Sequence, residues 1–117
     1  MRVVIAGGRN FQHKPEDSDW LDRLNEKHNI TTILSGGASG ADRFGEAWAN
    51  QNGIPVELYP AEWKKHGRAA GPIRNRKMAK ESDALIVFPG GAGTASMRKE
   101  AEKHSLKIWS RDRNGIS

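Results

Sequence analysis

PGGAGTAS, residues 89–96, follows the apolar run ALIVF (84–88) and precedes a stretch with helix-like spacing. Three glycines and a threonine stand where a strand hands over to a helix. The same handover recurs along the chain. Apolar, β-branched runs lie at Val3–Ala6, Thr31–Leu34, Ile54–Leu58, Ala84–Phe88 and Leu106–Trp109. Segments of helical length separate them. Short continuous apolar runs alternating with helices predict a parallel sheet covered on both faces. Helices are expected over 18–27, 40–51, 72–81 and 94–104. The first has Asp17 or Ser18 as its cap, and the second carries Ala41, Phe44, Ala47 and Trp48 on one stripe. Pro72 suits the first turn of the third, where no amide donor is lost. In the fourth, Met97 and Ala101 face inward. Right-handed crossovers then give the α/β class, a single Rossmann-like three-layer sandwich with a mostly parallel five-stranded sheet.

The chain has 117 residues, which suits one domain, expected over 1–109 with a polar tail at 110–117. It has no cysteine, which removes disulfides and thiolate chemistry from consideration. The apolar run near the N-terminus is too short for a signal peptide or a membrane span, so a cytoplasmic protein that does not enter membranes is expected. The net charge is +5, and it is concentrated. Residues 64–80, KKHGRAAGPIRNRKMAK, hold seven Lys or Arg and no acid, leaving 12 basic against 14 acidic residues elsewhere. Such a segment suits phosphates; a solvated basic face is its plain structural explanation.

In open α/β sheets, ligands bind beyond the carboxyl ends of the strands. Three glycine-rich turns stand at such ends: Gly7-Gly8-Arg9, then Ser35-Gly36-Gly37-Ala38-Ser39-Gly40, then Pro89-Gly90-Gly91-Ala92-Gly93-Thr94. Glycine lets backbone amides approach a ligand closely, and a helix N-terminus adds free N–H groups and a favourable dipole. One such loop also serves as a simple tight turn. Three on one edge point to a phosphate or nucleotide-like ligand. Neither GxxxxGK[ST] nor GxGxxG is present, which argues against a P-loop NTPase and a standard dinucleotide fold. The four histidines lack metal-ligand spacing and no carboxylate cluster accompanies them, so no metal and no cofactor are expected. Ser35 and Ser39 have no evident histidine partner for nucleophilic catalysis.

SGGASGAD (35–42), GPIRNRKMA (71–79), SDALIVF (82–88) and PGGAGT (89–94) together resemble the SLOG superfamily, which contains the DprA/Smf and LOG proteins. GGRNF (7–11) and AEWKKHGRAAGPIRN (61–75) resemble its YspA and cpYpsA-related branch. The resemblance runs over about residues 2–109 and implies a Rossmann-like domain for nucleotides or nucleic-acid-derived ligands. The LOG enzymes split the N-glycosidic bond of nucleoside monophosphates, and PGGAGT and Arg76-Lys77 resemble their motifs. Where their glutamates follow PGGxGT, this chain has Ser96 and Met97. An oxocarbenium-like transition state needs a nearby carboxylate. Glu100, or the pair Asp42 and Glu46 at i and i+4, are the substitutes on offer. Asp42 also reads as a first-turn carboxylate, and Glu46 and Glu100 as structural or solvated groups. RNR (74–76) and GxAxGxD (36–42) resemble DprA-like proteins, in which such residues hold single-stranded DNA.

The ligand-binding set expected is Gly7, Gly8, Arg9, Ser35, Gly36, Gly37, Gly40, Asp42, Trp63, Arg74, Asn75, Pro89, Gly90, Gly91, Gly93 and Thr94. Arg9 leaves the first glycine turn and offers a guanidinium fork to a phosphate. Arg74 and Arg76, two apart, cannot share a narrow helical face. Trp63 either walls the pocket and stacks on a base or packs as a lid. Trp20, Trp48 and Trp109 are assigned to packing. The partner expected is a nucleotide or nucleotide-derived molecule, bound by a sensor or sequestering protein. A phosphoribohydrolase and a single-stranded nucleic-acid binder are the alternatives. A homodimer fits the resemblance, because relatives often form dimers and two chains can complete one site.

Overall fold

The computed structural model describes residues 1–111. The chain runs β1 (Arg2–Ala6), α1 (Pro15–His28), β2 (Thr32–Ser35), α2 (Ala41–Gln51), β3 (Val56–Leu58), α3 (Trp63–His66), a single 3₁₀ turn (Gly67–Ala69), α4 (Ala70–Lys80), β4 (Ala84–Val87), α5 (Ala92–Lys103) and β5 (Lys107–Ser110). The sheet order is β3-β2-β1-β4-β5. Every pairing is parallel, where a mostly parallel sheet is expected from the sequence. The fold is the expected three-layer α/β sandwich. The chain builds outward from β1 through β2 to β3, then returns to lay β4 against the other side of β1. Strand order therefore reverses between β1 and β4, whose register pairs Val3 with Ala84 and Ala6 with Val87.

Alternation along the central strands sorts side chains to the two faces. Val3, Ile5, Ile86 and Phe88 join the core beneath α1 and α2. Val4, Leu85 and Val87 join Met78, Met97 and Ala101 beneath α4 and α5. Both faces are buried, which is why these strands read as continuous apolar runs. Trp48 is in the core, and Trp20 and Trp109 pack against it, as the sequence suggests.

The element boundaries differ from expectation for local reasons. α1 begins at Pro15, not residue 18. Proline at the first helical position is preorganised there, and Asp17 is the third helical residue, accepting a hydrogen bond from the Lys14 amide at 2.8 Å. Asp17 and Ser18 are thus inside the helix and neither is its cap. α4 and α5 each begin two residues early, at Ala70 and Ala92. The short α3 and its 3₁₀ turn have no buried residue, so no periodicity announces them. β5 reaches Ser110. Arg111 follows, donating its backbone amide to Val87 O (2.9 Å) and Nε to Asp17 Oδ1 (3.1 Å). The rest of the expected tail, 112–117, lies outside the described residues. No helix among the described residues is long and apolar enough to cross a membrane.

Candidate functional site

The reversal of strand order brings the first and third glycine loops side by side, and the second closes against the first. Gly8 donates its amide to Pro89 O at 2.8 Å and accepts from the Ala41 amide at 3.2 Å. Ser39 Oγ donates to Arg9 O at 3.3 Å. This knitting explains several glycines. A Cβ at Gly7 would stand 2.6 Å from Ala41 Cβ, one at Gly40 would strike Gly8 O, and one at Gly90 would strike Thr94 Oγ1. Gly8 is enclosed by Pro89 and Gly90 in the same way. Gly7, Gly8, Gly40, Pro89 and Gly90 therefore hold loop against loop. Gly37, Gly91 and Gly93 are different: a Cβ there meets nothing within 4 Å.

A cavity of about 290 Å³ lies between the end of β1, the second glycine loop and the first turns of α4 and α5. Arg9, Gly36, Asp42, Arg74, Asn75, Gly93 and Thr94 line it, and Trp63, 54% exposed, stands over it. Eight of the expected ligand-binding residues thus share one cavity. Ser35 does not: it is buried, donates to Glu46 Oε2 at 2.6 Å and accepts the Gly37 amide. Gly91 caps α5 beside the cavity.

The polar wall is built around Arg74. Its Nε donates to Asn75 Oδ1 at 2.9 Å, and its Nη1 to Gly36 O at 3.0 Å and Tyr59 O at 3.2 Å. A Cβ on residue 36 would collide with this guanidinium. Asn75, buried, donates to Ser96 Oγ at 3.2 Å and to Gly93 O at 3.5 Å. One side chain therefore ties the arginine to the start of α5. Arg76, two residues on, leaves in another direction, its Nε 3.7 Å from Glu100 Oε1. The expected incompatibility of Arg74 and Arg76 on one face holds, and Arg74 reaches the cavity from within α4.

Asp42 is buried at the first turn of α2 and accepts the Ala38 amide at 3.1 Å. Burial pushes its carboxyl above the ordinary carboxylate range, against the pull of the Ala38 amide and of Arg74. Burial also lowers Arg74, and the like charge of Arg9 adds to this while Asp42 opposes it. Among the three acids considered as catalytic, only Asp42 lines the cavity. Glu46 is engaged by Ser35. Glu100 sits away from the cavity with Arg76 and Lys103 near it, and its Oε1 has no hydrogen-bond partner among the described residues.

Several lining residues escape the sequence reading: Ala38, Gly71, Pro72, Met78, Ser96 and Met97. Starting α5 at Ala92 would have turned Ser96 towards α4. The sequence places Met97 inward, but not in a ligand cavity. No cluster of three or more His, Asp or Glu side chains suited to a metal ion occurs among the described residues.

Comparison with known proteins places the chain. The family model described as "YspA, cpYpsA-related SLOG family" matches residues 1–66. That segment contains the first two glycine loops and Trp63; Arg74 and the third loop lie beyond it. The "Gene 61 protein" of Mycobacterium phage D29 is 34% identical over 116 residues, covering 92% of this chain and 93% of that protein. The chain belongs to the YspA, cpYpsA-related SLOG family.

Proposed function

We propose that this domain binds a nucleotide or nucleotide-derived ligand, as a sensor or sequestering protein, in the cavity at the β1/β4 reversal. The observation carrying this reading is the convergence of Arg9 and Arg74 with the first turn of α5 on one cavity. The first-turn amides of a helix have no intrahelical partner, and no side chain caps α5. An anion there gains free donors, the helix dipole and a clamped guanidinium. Trp63 offers a face for a base.

Gly91→Asp tests this. Residue 91 has φ −100 and open space around its missing Cβ, so the fold tolerates a side chain. An aspartate at a helix cap accepts the very amides a phosphate would use. The variant should fold and keep its own melting temperature or gain slightly. Nucleotide-induced thermal stabilisation should vanish; stabilisation equal to wild type would overturn the reading.

One observation favours a hydrolytic version. Asp42 lines the cavity, and its raised pKa suits a general acid: it protonates the base as the C–N bond breaks, water forms the new C–O bond at the anomeric carbon, and the proton that water loses restores the carboxyl by way of solvent. Free base should then accumulate from a panel of nucleoside monophosphates, and stop accumulating in Asp42→Asn. Intact monophosphates throughout the panel would leave a binder.

A further inference from the structure

A second recess of about 260 Å³ adjoins the cavity. The two share Arg9, Gly36, Ala38, Trp63 and Arg74 as walls. The recess adds Gly37, Ser39 and Ala61. Sites that enclose a small ligand span roughly 300–1,000 Å³. Each chamber alone falls just short of that range, and the pair lies well inside it. The chambers also differ in character. Ile5, Met78 and Met97 give the inner one an apolar wall, whereas the outer one is mainly glycine-loop backbone and polar side chains.

The charge sits at the waist between them. Arg74 is held by three hydrogen bonds through Nε and Nη1, and its Nη2 donors have none among the described residues. The Arg9 side chain has no hydrogen bond or ion pair among them either. Two guanidiniums with one compensating carboxyl, Asp42, leave positive charge in the shared wall. An anion bound there has room on both sides. A ligand ending in its phosphate would fill one chamber and leave the other to water.

Resting on the nucleotide-binding reading, we infer that the ligand's phosphates are internal. The nucleoside lies in the inner chamber. A pyrophosphate runs from the α5 amides to the arginine pair. A second polar group, of sugar type, occupies the outer chamber. The class is a nucleoside diphosphate carrying a further substituent.

Calorimetric titration with AMP, ADP and ADP-ribose, and with UMP, UDP and UDP-glucose, tests this. In the series whose base is accepted, the substituted diphosphate should bind at least about tenfold more tightly than the monophosphate. Ala61→Trp fills the outer chamber alone and should reduce that advantage to less than about twofold, with its melting temperature confirming the fold. Equal affinity across a series that binds would overturn the internal phosphate and leave the nucleotide-binding reading standing. An advantage that persists in Ala61→Trp would overturn the outer chamber. Absence of binding by all six would overturn both readings.

Discussion

The two faces of the sheet are built on different plans. Under α1 and α2 the core is aromatic, and the recess of about 370 Å³ on that side touches Phe44 and Trp48 but not Phe88. Phe88 meets Phe11 at 4.6 Å, and meets Trp20 and Phe44 edge-on at 5.6 Å each. The buried indole there is satisfied, Trp48 Nε1 donating to Asp22 at 2.9 Å. Under α4 and α5 the core is smaller-grained, with Met78, Ala79, Met97 and Ala101. It is interrupted by a cavity and by the Arg74–Asn75–Ser96 chain. Polar groups inside a protein demand partners and constrain packing. The first face buries a cluster of rings, and the second carries the cavity at the β1/β4 reversal.

The sharpest way to break this comparison is a matched pair of truncations. Phe88→Ala removes a ring enclosed by three others and should cost about 4 kcal/mol of unfolding free energy. Met97→Ala removes a side chain just as buried, 1% exposed in both cases, but one already fronting empty space. Atoms lining a void have fewer contacts to lose, so the loss should be about 2 kcal/mol. Urea denaturation of the two variants measures both. Equal losses would mean that the cavity does not lighten packing on its side, and that the faces are energetically alike.

The same contrast explains what was readable from the chain. The central strands β1, β2 and β4, buried on both faces, read as continuous apolar runs, and the half-exposed edge strands β3 and β5 still show as short apolar segments. Helices with a firm apolar stripe, such as α2, were placed within a residue. α3 was invisible because WKKH is polar and buries nothing. The start of α5 was misplaced because GGAGT reads as loop, while Gly91 in fact caps a helix that already includes Gly93. The candidate site was legible as a cluster of glycine loops at one sheet edge. Which glycines face open space was not, because that depends on other loops: Gly7 answers to Ala41, and Gly40 to Gly8. Likewise nothing along the chain announces that Glu46 accepts the hydroxyl of Ser35, or that Asn75 spans to Ser96.

The smallest effect sharpens the comparison further, because it isolates charge on the open face. Burial raises the folded-state pKa of Asp42. The group's favourable contribution is complete below its ordinary value of 3.8 and is lost as pH rises through the folded value. Asp42→Asn keeps an oxygen for the Ala38 amide and removes the titration. The stability of the variant minus that of wild type should therefore increase with pH across this window and then level off. A difference that stays flat would mean that the carboxyl is not disfavoured by its burial. Ligand binding should respond in the same sense. Above the folded-state pKa the ionised carboxyl offsets part of the Arg74 charge, so there the variant should bind an anion more tightly, by less than the factor of about ten that 1.4 kcal/mol represents. The two proteins must be compared at each pH, because a terminal phosphate has its own ionisation at about pH 6. A diphosphate substituted at its far end lacks that terminal ionisation. With such a ligand the gap between variant and wild type should narrow only as Asp42 itself is protonated.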